Sequence, residues 1–439
     1  MGSCRKRPAC YVFRSKREVW TVCDTVVVVP EDGPVWFAKN SDREPSEAQF
    51  VECHEPNARA EGIPEGLPEA SGHARTLVSR PAWMWGCEIG VNEHGLAIGN
   101  EAVFTKLPVP KAGYSGMDFL RVALTTSRTA DDALEQLIEL TEGFPQGGPM
   151  GHRHRSFRYC SSFLVADAST AWVFETAGEY WAAKRVRGVA TISNALTIED
   201  DFDRIHERAH AFAKNRGWLR PGEEFGFARA FSERTITTLA GAQIRRACTA
   251  RSLAGIRDPQ PRHFIRALSD HGDKTPGRAW RSESPCAHAS WLPTMTAAQT
   301  TSSLIARLDK SGPTVWATGT SSPCLSVFKP APFSPQLFAP RPIADARFDD
   351  REIWWAHERL HRVVLSDYPR RRVTFAEDRE RFQVASLEPR VDPERIWREH
   401  RAHIDDWLAR AQEIKTTHLP LITRLYWSKQ SRVGAVPTG

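Results

Sequence analysis

The 439-residue sequence lacks a long apolar run, a large excess of charge and closely paired cysteines. Its longest purely aliphatic stretch, Val26–Val29, is far shorter than the ~20 residues that cross a bilayer, which excludes a transmembrane helix. Lys and Arg total 59 against 53 Asp and Glu, a net charge of +6, which argues against a nucleic-acid binder with a concentrated basic stripe. The nine cysteines show no CxxC spacing, so neither a zinc knuckle nor a disulfide framework is indicated. We therefore expect a cytoplasmic protein.

The composition is that of a folded protein with an unusual first segment. Hydrophobic residues make up 41% and charged residues 26% of the chain, which is enough for a packed core. Residues 1–22 carry six basic side chains and one acidic side chain, without the apolar stretch of at least ~7 residues that a secretory signal needs. We favour a pro-segment or an upstream start codon over a mitochondrial-type presequence.

Two short segments rich in β-branched or apolar residues follow and predict a hairpin. CDTVVVV, which begins at Cys23, is typical of a buried strand. VWFAKNSD follows it after the turn sequence PEDGP, and so short a link favours antiparallel pairing. If the last valine before the turn pairs with the first valine after it, Cys23 lies opposite Ser41 and shares a face with Lys39.

The rest of the chain alternates predicted strand pairs with predicted helix pairs, which favours an α+β or layered fold. The predicted strands lie within 85–104 and at 163–165, 171–175, 180–183, 189–194, 314–318 and 325–328, and the predicted helices at 115–126, 130–141, near 200–215 and 231–254, and from 353 onward. The proline-rich stretch 329–342 is the best candidate linker. We expect a leader at 1–22, a catalytic domain at 23–342 and a helical extension at 343–439.

The extension begins with the amphipathic sequence IWWAHERLHRVVL. Its apolar residues fall near one stripe of a helix: Ile353, Trp354, Leu360, Val363 and Val364. Such a stripe is typical either of docking on the main body or of a contact between copies in a homo-oligomer. The sequence leaves both alternatives open.

Cys23 is the leading candidate for chemistry because it begins a strand where the composition changes. A free cysteine has a pKa of about 8.5 and is mostly protonated at neutral pH. A terminal α-amine, with a pKa of about 7.7–8.0, can accept the thiol proton. Cys23 could thus supply both nucleophile and base if nothing preceded it, with Asp42 orienting the amine and Lys39 holding the thiolate or a substrate carboxylate. A buried, inert strand cysteine is the commoner alternative.

The sequence resembles the secernin and cysteine dipeptidase family of N-terminal nucleophile (Ntn) hydrolases over about residues 23–375. The resemblance begins with CDTVVVVP and WFAKNSDR and continues in order through the following segments: SRPAWMWGCEIGVNEHGLAIGNEAVFTK, GMDFLRVAL, SSFLVADASTAWVFETAGEYWAAKRVRGVATISNALTI, CAHASWLPTMTAAQTTSS, VWATGTSSPCLSVFKP and HERLHRVVLSDYPRR. It is closer to secernins and their bacterial relatives than to the shorter penicillin and bile-salt amidases.

The resemblance implies a four-layer αββα fold and removal of the residues before the nucleophile, with cleavage of dipeptides or similar small amides without metal or cofactor. Cys23 matches the nucleophile and Asp42 the aspartate after the second strand. Asn194, in ISNAL, matches the asparagine of the oxyanion site. Arg246 is the match for a later active-site arginine, with Arg245 close behind. Lys39 stands where related amidases carry arginine and is assigned to the substrate.

Several further residues are weaker candidates. Asn100 and Glu101 end a strand near the expected pocket and are candidate substrate contacts. Cys286 and His288 are two residues apart and resemble a Cys-His pair, but no third orienting group is visible in the sequence. We interpret that pair as structural and expect no metal ligands.

Three functional hypotheses follow. The first is a cysteine-type dipeptidase whose N-terminal cysteine is exposed by removal of the leader. The second is an amidase acting on acyl amides of the penicillin or bile-salt type. The third is a secernin-like exocytosis or scaffold protein with vestigial activity. The expected partner is a dipeptide or small amide, with neither nucleic acid nor a membrane span, and the oligomeric state stays open.

Overall fold

A computed structural model describes residues 22–56, 62–68, 73–278, 283–289, 298–344, 347–415 and 419–437. Its strands are β1 (Asp24–Val29), β2 (Val35–Arg43), β3 (Gln49–His54), β4 (Thr76–Pro81), β5 (Ile89–Asn92), β6 (Ala97–Val103), β7 (Cys160–Ala166), β8 (Ala171–Ala177), β9 (Tyr180–Arg185), β10 (Gly188–Ile192), β11 (Arg204–Ile205), β12 (Gln299–Asp309), β13 (Gly312–Ala317) and β14 (Lys329–Pro330).

The helices of the described residues are α1 (Gly116–Thr126), α2 (Ala130–Gly143), α3 (Ala209–Asn215), α4 (Phe227–Phe231), α5 (Arg234–Leu239), α6 (Ala242–Leu253), α7 (Pro261–Leu268), α8 (Ile353–Leu365), α9 (Tyr368–Val373), α10 (Ala376–Ser386), α11 (Pro393–Glu413) and α12 (Leu421–Gly434). None of them is long and apolar enough to cross a membrane.

The strands form two antiparallel sheets. The six-stranded sheet has the order β10-β1-β2-β12-β13-β14, and the eight-stranded sheet has the order β11-β9-β8-β7-β6-β5-β4-β3. Apolar side chains from both sheets, among them Val27 and Phe37 on one and Val91 and Leu164 on the other, form a shared core between them. This interior explains why the inner faces of the central strands are apolar.

Helices cover both outer faces. On the eight-stranded sheet, Ile98 and Phe163 pack against α1 and α2. On the six-stranded sheet, Val26 and Trp36 pack against α6 and α7, where Phe264 stacks on Trp36 at 5.2 Å between ring centroids. The layers therefore run helix, sheet, sheet, helix, and the predicted four-layer αββα architecture is confirmed.

The first hairpin has the predicted register. Thr25 pairs with Lys39 and Asp24 with Asn40, which continues to Cys23 opposite Ser41. Because directly opposed residues in an antiparallel pair share a face, Thr25 and Lys39 both point between the sheets. Gly33, with φ of +98°, makes the turn that connects the strands.

The helices at 116–126 and 130–143 also match their predictions, because each has a local start signal. Ser115 and Thr129 accept hydrogen bonds from backbone N–H groups three residues later, and Asp118 and Asp132 bond back to the cap residues. This reciprocal capping satisfies N–H groups that a helix start otherwise leaves unpaired.

Two parts of the strand prediction were wrong. Residues 325–328 form a turn rather than a strand, and the chain reverses there after Ser322, which has a positive φ of 52°. Strands β3, β4, β11, β12 and β14 were missed, β11 within the helix predicted near 200–215 and β14 within the linker predicted at 329–342. The first half of β12 is the polar run QTTSS, which is fully buried between β2 and β13, so its polarity hid a central strand.

The C-terminal helices pack on one another and on the segments beside the six-stranded sheet, and the indole N–H of Trp354 donates to the Thr301 carbonyl in β12 at 2.8 Å. Trp354, Trp355, Leu360 and Val364 of α8 are buried, and the core around α8 includes Cys324 and its neighbours. The apolar stripe thus docks on the main body, the first of its two alternatives. Segment 1–21, which holds nearly all of the expected leader, lies outside the described residues.

Candidate active site

Cys23 lies directly before β1 and is 3% exposed. Its backbone nitrogen donates to Oδ1 of Asn194 at 2.9 Å. Its Sγ accepts the backbone N–H of Asp42 at 3.3 Å. The hydroxyl of Ser193 donates to its carbonyl oxygen at 2.9 Å. The fold therefore brings three of the four predicted catalytic residues, Cys23, Asp42 and Asn194, together.

The orientation of the Asn194 amide follows from its partners. Its Oδ1 faces two donors, the Cys23 nitrogen and the Arg245 guanidinium at 2.5 Å. Its Nδ2 donates to the carbonyl of Ala102 at 2.9 Å. An amide oxygen only accepts and an amide nitrogen only donates, so this orientation is fixed. Nδ2 has a second N–H, which could reach an oxyanion next to Cys23.

The buried arginine of this cluster is Arg245, one residue before the predicted Arg246. Arg245 is fully buried, pairs with Asp24 at 2.9 Å and donates to the Ser193 hydroxyl at 2.7 Å. Arg246 instead donates to the carbonyl of Thr191 at 2.9 Å and is half-buried. Neighbouring helix residues point about 100° apart, so only one of the two arginines can enter the cluster.

Lys39 and Glu101 form a fully buried ion pair, with 2.9 Å between Nζ and Oε1. The Thr25 hydroxyl also bonds that carboxylate oxygen. Gly99 on β6 leaves the room for this pair, since a Cβ there would lie 2.7 Å from Cδ of Lys39. The predicted position of Lys39 on the Cys23 face is confirmed.

The charges in this pair are strongly perturbed. Burial raises the pKa of Glu101 to about 7, although the ammonium of Lys39 opposes the rise. Burial alone would lower the pKa of Lys39, but the charges of Cys23 and Glu101 outweigh it and raise that pKa. Because Glu101 already engages Lys39, the lysine is partly neutralised before any substrate binds.

Asp42 is buried, and neither of its carboxylate oxygens forms a hydrogen bond of good geometry with a described residue. Burial, followed by repulsion from Asp24, raises the pKa of Asp42 well above its ordinary value, and the Thr300 hydroxyl only partly offsets this. A cation placed beside Asp42 would lower its pKa again.

The pKa of the Cys23 thiol is also raised by burial, and Lys39 supplies the largest opposing effect. The thiol is therefore protonated at neutral pH, and a base must take its proton before it can act as a nucleophile. The nearest atom of suitable chemistry is the nitrogen of Cys23 itself, once that nitrogen is a free amine.

Asn100 does not join this cluster. It alternates with Glu101 along β6, so its side chain lies on the opposite face of the strand. A Cβ on Gly116, the first residue of α1, would lie 3.1 Å from its Nδ2. Both polar atoms of the Asn100 amide are buried and lack a hydrogen bond to the described residues.

Sequence reasoning missed Asp24 and Ser193. Both accept hydrogen bonds from Arg245, and the Ser193 hydroxyl also donates to the carbonyl of Cys23. Each is the sequence neighbour of a predicted residue, and this is the only signal the sequence carries.

A cavity of about 960 Å³ elsewhere in the molecule is lined by His271, Cys324 and residues of α7, α9 and α10, among others, and its lining includes neither Cys23 nor Asn194.

Comparison with known proteins gives one family match. The family model for acyl-coenzyme A:6-aminopenicillanic acid acyl-transferase matches residues 28–187. The match covers less than half of the chain and includes Lys39, Asp42 and Glu101 but neither Cys23 nor Asn194.

Solved structures of low similarity include a mutant of conjugated bile acid hydrolase from Clostridium perfringens, with 14% identity, a TM-score of 0.43 and coverage of 67% of this chain and 88% of that one. Penicillin V acylase from Agrobacterium tumefaciens has 13% identity and a TM-score of 0.39, and the alignment covers 70% of this chain and 86% of that one. A Caenorhabditis elegans orthologue of N-acylethanolamine-hydrolyzing acid amidase has 10% identity and a TM-score of 0.35, and the alignment covers 64% of this chain and 92% of that one. These similarities are too low to transfer an activity.

Proposed function

We propose that this protein hydrolyses small amides with Cys23 as an N-terminal nucleophile, and that acyl amides are its main substrates. One observation carries the proposal: the nitrogen and the sulfur of Cys23 are held by separate partners, Asn194 and Asp42. Any buried backbone N–H needs an acceptor, but here the acceptor is a buried side-chain amide that Arg245 also contacts, and the Cys23 carbonyl is held by the Ser193 hydroxyl.

The proposed mechanism requires that residues 1–22 be removed, which frees the α-amine of Cys23. The amine takes the proton from Sγ, and the thiolate attacks the carbonyl carbon of the amide. The second N–H of Asn194 Nδ2 and a backbone N–H stabilise the oxyanion. The ammonium then protonates the departing amine as the C–N bond breaks, and water hydrolyses the resulting thioester by the reverse sequence.

In this mechanism Asp42 pairs with the α-ammonium. Its carboxylate is buried beside Cys23 without a hydrogen bond of good geometry, and a positive charge at the amine would give it a partner. Arg245 is a positioning residue, since it touches Asn194 and Asp24 rather than Cys23. Lys39 supports the thiolate through its charge.

The substrate class rests on two further observations. The family model that matches residues 28–187 describes transfer of an acyl group to an amine, which supports an acyl-amide substrate. Glu101 already pairs with Lys39, which weakens the idea that Lys39 binds the carboxylate of a dipeptide. The secernin and dipeptidase resemblance keeps dipeptides as the second substrate class.

The division into a leader, a catalytic part at 23–342 and a helical extension at 343–439 belongs to the same proposal. So does a reducing, cytoplasmic location, which would keep the Cys23 thiol available. No disulfide joins the described cysteines, Cys23, Cys53, Cys87, Cys160, Cys248, Cys286 and Cys324, as a reducing location requires.

The test compares kcat/KM on N-acyl amides and on dipeptides for the wild type, Cys23→Ala and Cys53→Ala. Cys53 is equally buried but lies on β3, away from the site, so its variant controls for loss of a buried thiol. We expect Cys23→Ala to abolish turnover and Cys53→Ala to keep it, with acyl amides preferred. Full turnover by Cys23→Ala would refute the proposal. A preference for dipeptides would overturn only the substrate assignment, and inactivity of the wild type on both classes would favour the scaffold hypothesis.

A further inference from the structure

A second cluster of reactive side chains lies outside the Cys23 site. One ligand atom from each of His271, Cys286, His288 and Cys324 lies within 4.8 Å of the other three. Nε2 of His288 is 3.1 Å from Nε2 of His271, 3.4 Å from Sγ of Cys286 and 3.3 Å from Sγ of Cys324. Two thiols and two imidazoles therefore lie close enough together to share one ion.

The three separations that involve Nε2 of His288 are close to three of the six edges of a tetrahedral zinc site. With Zn–N bonds near 2.05 Å and Zn–S bonds near 2.3 Å, tetrahedral angles put two nitrogens about 3.3 Å apart and a nitrogen and a sulfur about 3.5 Å apart. The observed distances of 3.1, 3.4 and 3.3 Å fall close to these values. Two cysteines with two histidines is also a donor set typical of structural zinc.

The groups behind the cluster orient His288 as a ligand. Its Nδ1 lies 3.0 Å from Nε2 of His361, and Nδ1 of His361 lies 3.2 Å from the carboxylate of Glu358. If each Nδ1 donates its proton along this chain, Nε2 of His288 is left as a bare lone pair that faces the cluster. Metal-bound histidines commonly show this second layer of hydrogen bonds ending in a carboxylate.

Hydrogen bonds alone explain the cluster poorly. An imidazole nitrogen without a proton has one lone pair, yet Nε2 of His288 has three polar neighbours within 3.4 Å. A single cation at the centre would accept a lone pair from each of the four groups. Hydrogen bonding could satisfy Nε2 of His288 toward only one of its three neighbours.

The ligands come from separate parts of the chain. His271 follows α7, Cys286 and His288 precede β12, and Cys324 lies between β13 and β14. His361, behind the cluster, belongs to α8. Both cysteines are buried and both histidines are half-buried. The cavity of about 960 Å³ that His271 and Cys324 line offers a path for an ion to enter.

We propose that His271, Cys286, His288 and Cys324 bind one Zn²⁺ as a closed structural site. Four protein ligands leave no open position for a substrate, so the ion would act in stability rather than in catalysis. It would tie α8, through His361, to the segment that leads into β12. The proposal is independent of the function proposed for Cys23.

A hydrogen bond connects the proposed zinc site to the six-stranded sheet that carries Asp42. Ala287 lies between the two ligands Cys286 and His288, and its N–H donates to the Thr300 hydroxyl at 3.0 Å. Thr300 is the β12 partner of Asp42 in the sheet. A metal bound at 286 and 288 would therefore hold the strand segment that faces Asp42.

The test measures zinc in the untagged full-length protein, purified without chelator from zinc-supplemented cells, by inductively coupled plasma mass spectrometry. We expect about one zinc per chain in the wild type and in Cys53→Ala, a buried-cysteine control. We expect a loss of at least tenfold in zinc content in Cys324→Ala and in His271→Gln. His271 is only partly buried, so its variant should fold even where removal of a buried cysteine does not.

Cobalt substitution gives a second readout that requires no variant. Co²⁺ bound by two thiolates and two imidazoles should show intense tetrahedral d–d bands and a thiolate charge-transfer band. Zinc below a tenth of an equivalent together with no cobalt spectrum would overturn the proposal. A native disulfide between Cys286 and Cys324, found by peptide mapping, would overturn it as well.

Discussion

Replacement of Arg245 by alanine should destabilise the protein severely, whereas the same change at Arg246 should not. The Arg245 guanidinium is fully buried and bonds Asp24, Ser193 and Asn194. Its removal leaves the Asp24 carboxylate buried without its cation. Breaking a buried pair in this way typically costs about 3–5 kcal/mol.

The matched control is Arg246→Ala. Arg246 is half-buried and makes one hydrogen bond, to the Thr191 carbonyl at 2.9 Å. Loss of one such bond costs about 1 kcal/mol. The two variants differ by one position on the same helix, so a general effect on α6 would lower both stabilities alike.

The cost of Arg245→Ala should also depend on pH. Burial raises the pKa of Asp24 in the folded protein, and Arg245 is the largest opposing influence, so its loss raises that pKa further. Above the unfolded value of about 3.9, the folded variant then binds more protons than the unfolded chain. Its stability must therefore fall as pH rises, and the difference from wild type should be larger at pH 8 than at pH 5.

Urea unfolding of wild type, Arg245→Ala and Arg246→Ala, followed by tryptophan fluorescence at pH 5 and pH 8, measures these differences. A loss below about 1 kcal/mol for Arg245→Ala, or equal losses for the two variants, would refute the assignment of Arg245 as the buried anchor. If Arg245→Ala fails to fold at pH 8, folding should return at pH 5, where Asp24 can take up a proton.

Three further predictions concern separate parts of the molecule. Lys39→Met should raise the pKa of Cys23, because Lys39 is the largest influence that lowers it. Alkylation of Cys23 at pH 8 should then slow by about tenfold per pKa unit, and an unchanged alkylation rate would contradict this prediction. Glu101 has a folded pKa of about 7 against a reference of 4.5, so it should contribute a fall of about 3 kcal/mol in stability between those pH values. Glu101→Gln should lose that share of the slope, while the raised pKa values of Asp24 and Asp42 leave a remaining slope in both proteins; identical pH profiles of wild type and variant would contradict the prediction. Thr129→Ala should cost about 1 kcal/mol in urea unfolding because it removes the cap of α2, and Thr126→Ala, near the end of α1, provides a comparison outside the cap.

The sequence predicted those parts of the fold that are specified locally. The Cys23 hairpin had two valine-rich strands and a glycine turn, so its register followed from chain connectivity. The helices after Ser115 and Thr129 carried their own capping residues. By contrast, β12 was missed because its buried first half is polar, and only its position between β2 and β13 shows that it is a strand.

The site was predictable only where its residues adjoin a recognisable segment. Cys23, Asp42 and Asn194 each sit at the end of a strand in a quoted motif, and the fold brings them together. The choice between Arg245 and Arg246 depends on the rotation of α6 relative to β10, which no local pattern encodes. Of the two candidates Asn100 and Glu101, only Glu101 lies on the Cys23 face, and the sequence did not show which face of β6 meets the other sheet.

The proposed metal site escaped sequence reasoning for a related reason. Cys286 and His288 are close in sequence, but the other two proposed ligands, His271 and Cys324, come from segments on either side of them. Ligand spacing in the sequence reveals a metal site only when the ligands lie on one or two local turns. Tertiary structure alone assembles this set.

The central claim is that one residue supplies both the sulfur and the basic nitrogen. An electrophilic acyl-amide analogue should be reacted with active protein from its native source, and the labelled chain should be analysed by intact mass and N-terminal sequencing. We predict a single adduct on Cys23 in a chain whose first residue is Cys23. An equally active chain that still carries residues 1–22, with the Cys23 nitrogen in a peptide bond, would contradict the account.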